Sequence, residues 1–277
     1  AFAEQTYDRS EADPWVTRAA HIFRARPDGR DIEPVMTGGM DNPVGVTFTP
    51  GGERIFTTTF LQHPGGGNRD GLIHAVYGGV YGKDHGVIEG HPRTGDLMPV
   101  LTHLGAAAPA GLARYRSSVF GEDYRNNLFS ALFNRQQIVR HQLSPRGGSF
   151  ESTDEVFLQS NNRNFHPTDV DEDADGSLLV VDTGGWYKLC CPTSQLPKPD
   201  VLGGIYRIRS RAKPRMLFPR GKELGIESMD LHEVVQRMND PRPAVGDQLI
   251  ARLGNGSGAS IMAIEETGVS SLDELGQ

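Results

Sequence analysis

One short phrase returns three times along this 277-residue chain: a Pro, one residue, a Gly or Asp, then a Val or Leu. It stands at Pro43-Val44-Gly45-Val46, Pro109-Ala110-Gly111-Leu112 and Pro167-Thr168-Asp169-Val170. A β-rich second run follows each, at residues 55–60, 128–133 and 177–182. A third run with a polar or basic centre comes next, at 72–76, 137–143 and 204–209. Strand, turn, strand, loop, strand at roughly 60-residue intervals is how radially repeated sheets, such as the blades of a β-propeller, are written in sequence.

The composition agrees. With 34 Gly and 37% hydrophobic residues, the chain is turn-rich with a modest core, as many short strands require. The net charge is −7 and the Lys and Arg residues are scattered, which argues against a nucleic-acid partner. No apolar stretch approaches the ~20 residues of a membrane-spanning helix. The opening Ala1-Phe2-Ala3-Glu4-Gln5 has no basic region followed by an apolar one, so it does not read as a signal peptide as it stands. Cys190 and Cys191 are adjacent, which suits either two free thiols or a strained vicinal bridge.

The organisation follows from the repeats. Residues 1–17 form a polar segment and 18–210 a partial β-propeller of about three to four blades. Within it, residues 21–26 followed by Pro27-Asp28-Gly29 read as the closing strand and turn of a first blade, and long loops are expected at 61–71, 77–105 and 183–203. Three blades and a fraction leave two sheet edges open, so a longer native protein is expected. Residues 211–226 read as a linker. Leu231, Val234, Val235 and Met238 then keep helical spacing, Asp240-Pro241-Arg242-Pro243 breaks it, and Val245, Leu249, Ile250 and Leu253 begin a second helix, with a third expected at 259–266. This makes 227–277 a HEAT-like helical segment. The expected fold class is therefore mainly β, a partial propeller followed by short HEAT-like helices.

Antiparallel hairpins narrow the candidate site. Residues just before each phrase and just after each second strand share one face of the disc, which collects Asp41, Asn42, Arg163, Asn164 and His166 with Thr59, His63, Asp182 and Trp186. Arg69-Asp70 and His74 suit either the same mouth or a charged loop-to-strand junction that is simply solvated. His166 suits either a general base or a strand cap that bonds a neighbouring blade. Asp41-Asn42 suits either a polar ligand or the turn that Asn before Pro favours. Asp171, Asp173, Asp175 and Asp182 match the spacing of a calcium loop, while an Asp-Gly hairpin turn between two strands accounts for the same residues without a metal.

Residues 22–59, 109–143 and 166–210 together resemble consecutive blades of the glucose/sorbosone dehydrogenase-like propeller, most nearly the membrane-bound dehydrogenases of the PVC type. The run Pro192-Thr193-Ser194-Gln195 with residues 198–207 is fairly specific to that branch. The resemblance implies a periplasmic or exported oxidoreductase that acts on a sugar or alcohol. It also implies a full-length parent carrying pyrroloquinoline quinone and calcium, a propeller, HEAT repeats and a cytochrome c domain as partner. In the quinoprotein relatives an Arg-Asn pair before the phrase contacts the quinone. Asn42 matches, whereas Asp41 stands where that Arg would be, and no Cys-x-x-Cys-His haem motif occurs in this chain. His166 is the candidate catalytic residue on its own chemistry, whereas the resemblance places the relatives' catalytic His in an earlier blade. A non-catalytic propeller that binds carbohydrate or a protein is the rival expectation.

Overall fold

The structure, a computed structural model, describes residues 19–62, 66–84, 86–185, 198, 200–212 and 216–254. The polar N-terminal segment, His63, Trp186, Cys190, Cys191 and the third expected helix lie outside the described residues. The chain divides into two compact units, one of Ala1–Arg114, Asn127–Asp171 and Val180–Tyr206, the other of Tyr115–Asn126, Glu172–Leu179 and Arg207–Gln277.

The first unit begins with a hairpin. Strand β1 (Ala20–Arg24) turns through Pro27-Asp28-Gly29 into β2 (Glu33–Gly39), with Ala20 opposite Gly38 and Arg24 opposite Glu33. Gly29 takes φ +80°, open to glycine at no steric cost. The first repeat follows as β3 (Val46–Phe48), β4 (Arg54–Thr58) and β5 (Asp70–His74). The stretch expected as a loop at 77–105 then supplies β6 (Val80–Gly82), parallel to β2, and β7 (Thr102–Gly105), antiparallel to β5. Glycines 78, 79 and 82 flank Val80-Tyr81, so the apolar signal of β6 is only two residues long. The second repeat is β8 (Pro109–Arg114), β9 (Leu128–Leu132), β10 (Gln137–Arg146) and β11 (Ser149–Gln159). The third is β12 (Pro167–Glu172), β13 (Leu178–Asp182) and β14 (Gly204–Ile208). The four sheets run β1-β2-β6, β3-β4-β5-β7, β11-β10-β9-β8 and β12-β13-β14. The fold is mainly β, as expected, and β2, β6, β7 and β11 are strands that were not expected from the sequence.

The second runs of the first two repeats read as apolar without alternation because β4 and β9 are covered on both faces. In β4, Phe56 packs with Val35, Met36, Ile73 and Tyr81, whereas its neighbour Ile55 packs with Leu72, Leu112, Leu128 and Val139. One face of the first repeat thus meets β2 and β6 and the other meets the second repeat.

The recurring phrase has a packing cause. A Cβ on Gly45 would lie 2.7 Å from both the carbonyl oxygen of Ala110 and the amide nitrogen of Leu112, and one on Gly111 would lie 2.7 Å from the Cα of Asp169. The innermost strand of each repeat therefore presses on the next at the same phrase position, where a side chain has no room. The Thr57 hydroxyl completes the join, accepting the Gly45 N–H at 2.9 Å and donating to the Ala110 carbonyl at 2.6 Å.

The second unit carries the Asp173–Gly176 turn and the helices. Gly176 closes the turn at φ +75°, its carbonyl accepts the Tyr115 hydroxyl at 2.7 Å, and burial pushes that phenol up to about 12. Helix α1 (Leu231–Gln236) opens with a reciprocal capping box between Asp230 and Glu233. It stops at Gln236, before the expected Met238. Pro243 opens helix α2 (Pro243–Gly254), where its missing N–H has no intrahelical partner to lose. Val234, Val245 and Leu249 pack with Ile226 and Met229. Among the described residues, the expected HEAT-like segment amounts to these two short helices.

Candidate functional site

The hairpin argument holds at the backbone level in all three repeats. Asp41 and Thr59 exchange both backbone hydrogen bonds at 2.9 Å. In the second repeat the Phe133 and Asn134 N–H groups donate to Ala108 and Ala107, and in the third the Thr183 N–H donates to His166. Asn42 and Ala108, each directly before the phrase proline, take positive φ (+43° and +45°), a costly conformation for residues with a Cβ. For Asn42 this is the turn-forming role. Its side chain is exposed.

His166 is buried, at 7% exposed. Its Nδ1 lies 2.8 Å from the Gly184 carbonyl oxygen. A carbonyl only accepts, so Nδ1 carries the proton and, in the neutral ring, the basic lone pair is on Nε2. The Phe133 ring stacks on the imidazole at 4.6 Å and 27°. Asp182 is brought to His166, but through the main chain: its Oδ1 accepts the His166 N–H at 2.9 Å and the Gly184 N–H at 2.8 Å. This carboxylate shapes the turn that holds the imidazole.

Arg69 is spoken for. It forms two 2.8 Å hydrogen bonds to Asp70, which is fully buried and also accepts the N–H groups of Phe60, Ala107 and Ala108. A charged pair opening a strand suggests solvation; here Asp70 is instead the joint between the first and second repeats. The Arg69 guanidinium lies 4.9 Å and the Lys83 ammonium 5.6 Å from the Phe60 ring centre, and Phe60 itself has φ +54°. Phe60 and Phe133 were not singled out from sequence, because ring partners distant in sequence leave no local signal. Asn164 accepts a hydrogen bond from Lys198 at 2.6 Å, and Arg163 is exposed in the Asn162–Phe165 turn. Trp186 is outside the described residues.

The carboxylates grouped as a calcium set are not assembled as one. Asp173 lies 2.5 Å from Arg207, whose hydrogen bond holds its carboxyl below the usual range. Burial pushes Asp175 up, but Ser177, Arg207 and Arg209 bring it below the ordinary value on balance. Asp182 accepts two backbone N–H groups, as described. Among the described residues no group of three or more His, Cys, Asp or Glu side chains is placed to hold a metal ion. The spacing belongs to the hairpin: Asp173 caps the Ala174 N–H and Asp175 the Ser177 N–H.

A family model described as "Domain of unknown function (DUF7133)" matches residues 83–212. No curated protein matches. Among solved structures, a putative oxidoreductase (glucose dehydrogenase) from Thermus thermophilus is similar at 20% identity and a TM-score of 0.46, over 64% of this chain and 47% of that one. The pyrroloquinoline-quinone-bound form of an aldose sugar dehydrogenase from Streptomyces coelicolor is similar at 14% identity and a TM-score of 0.45, over 68% of this chain and 51% of that one. The chain spans about half the length of these structures.

Proposed function

We propose that this chain is the sugar- or alcohol-binding part of a quinoprotein-like oxidoreductase, with the rim around His166 as the place where a polar substrate docks. The observation that carries the reading is the preset imidazole. The Gly184 carbonyl fixes its tautomer, Phe133 stacks on its ring, and in the neutral imidazole the basic nitrogen is therefore Nε2. Asn42, Arg163 and Asn164 are the polar groups from which the rest of the docking site is drawn. In this reading residues 18–210 are a partial propeller, 211–226 a linker and 227–277 the start of a HEAT-like segment, in a periplasmic or exported parent whose cytochrome c domain takes the electrons.

The rim residues do not fit an anionic quinone. The position that needs a cation holds Asp41, its counterparts in the other repeats are Ala107 and Phe165, and Arg69 is neutralised by Asp70. This mismatch favours a second reading, a non-catalytic propeller that binds carbohydrate. Incubation with pyrroloquinoline quinone, a panel of sugars and a dye acceptor separates the two. Dye reduction lost in His166→Ala supports the oxidoreductase. Sugar binding by calorimetry without dye reduction supports the binding module. The absence of both dye reduction and sugar binding would remove the rim as a site.

A further inference from the structure

At the end of the first unit where the β3–β4 and β10–β11 hairpins turn, His74 lies between a hydroxyl and a carboxylate. Its Nδ1 is 2.9 Å from Ser149 Oγ and its Nε2 is 2.9 Å from Glu53 Oε2. An ionised carboxylate only accepts, so Nε2 carries the proton and the Nδ1 lone pair receives the serine O–H. The imidazole is 6% exposed and packs edge-on against Phe150 at 5.2 Å. Ser149 is only half-buried and follows Gly147-Gly148, two exposed glycines beside which a Cβ would meet nothing within 4 Å. Approach to its hydroxyl from the glycine side is open.

We infer that Ser149 is a nucleophile that accepts an acyl group from small activated esters, with His74 as its general base and Glu53 as the group that orients the base. The order hydroxyl, imidazole, carboxylate is that of an activated serine, with the roles of the two ring nitrogens exchanged. As Ser149 Oγ bonds to the ester carbonyl carbon, its proton passes to His74 Nδ1, and the imidazolium that forms is compensated by Glu53. The bond from the carbonyl carbon to the alkoxide then breaks, and the alkoxide leaves with the proton from Nδ1. Water repeats the cycle on the acyl-serine, which releases the acid and restores Ser149. No oxidant or metal enters the balance.

The test uses the full chain with a fluorophosphonate, whose fluoride is displaced by Ser149 Oγ and leaves as hydrogen fluoride with the proton carried by His74. Peptide mass spectrometry locates the adduct, and p-nitrophenol release from p-nitrophenyl acetate follows turnover. The expected result is an adduct on Ser149, with the labelling rate lowered about 10²-fold in His74→Gln and about tenfold in Glu53→Gln. Because Glu53 is exposed, its variant decides the matter even if His74→Gln fails to fold, provided its circular dichroism matches the parent. Labelling of Ser149 no faster than that of Ser144, an exposed serine of the same hairpin, overturns the inference. So does an unchanged rate in folded Glu53→Gln.

Discussion

Ser130, His141 and Asp154 face one another across β9, β10 and β11 of one sheet, whereas Ser149, His74 and Glu53 come from the hairpin ends of two repeats. The bond lengths are nearly alike: 2.8 and 2.7 Å in the first set, 2.9 and 2.9 Å in the second. The surroundings are not. Ser130 and His141 have no exposed surface, and Asp154 also accepts the hydroxyls of Ser152 and Thr102. In the second set the hydroxyl is half-exposed and Glu53 stands in solvent. The same three groups thus make a sealed brace in one place and an approachable relay in the other. Burial of the hydroxyl decides between stability and chemistry.

Four substitutions sharpen that contrast, in order of expected effect. His141→Ala leaves the buried Ser130 hydroxyl and the Asp154 carboxylate without their shared partner, and should lower unfolding stability by about 3 kcal/mol in urea titrations. Asp154 comes next. Burial pushes its carboxyl up, but His141, Ser152 and Thr102 together hold it at about 2, against 3.8 ordinarily. A carboxyl depressed in the fold stabilises above its unfolded value and loses that contribution as pH falls from about 4 towards 2, amounting to about 2 kcal/mol. Asp154→Asn should therefore flatten the loss of urea midpoint between pH 5 and pH 2.5, and an equally steep loss in the variant would show that other groups drive it. His74→Gln, whose two partners are a half-exposed hydroxyl and an exposed carboxylate, should cost only about 1 kcal/mol. Ser149→Ala should change the melting temperature least, by an energy of about 0.5 kcal/mol or less, while abolishing fluorophosphonate labelling. Equal stability losses at His141 and His74 would erase the distinction between brace and relay.

What the sequence made legible tracks how local each cause is. Residues 55–58 and 128–132 announced their strands because both faces of each are covered. The pairing of Asp41 with Thr59 followed from hairpin geometry alone. Strand β6 was hidden by its glycines. Asp70 was misjudged because what buries it, the backbone N–H groups of Ala107 and Ala108, arrives from 37 and 38 residues away. The Ser149–His74 contact spans 75 residues and joins two repeats, so no window of sequence contains it. The aspartate spacing stayed ambiguous for the converse reason: a turn that caps its own backbone with aspartates writes the same pattern as a cation loop.

The abutting inner strands tie neighbouring phrases together in heredity as well as in space. Gly111 lacks a side chain at the spot where Asp169 projects one, with Asp169 Oδ1 only 1.9 Å from the place a Cβ on Gly111 would take. Whatever volume one position gains, the position facing it must surrender, so among relatives of this chain bulk at the third phrase letter should trade between neighbouring repeats instead of drifting independently. A duplicated or transplanted repeat would seat itself only beside a neighbour of matching size.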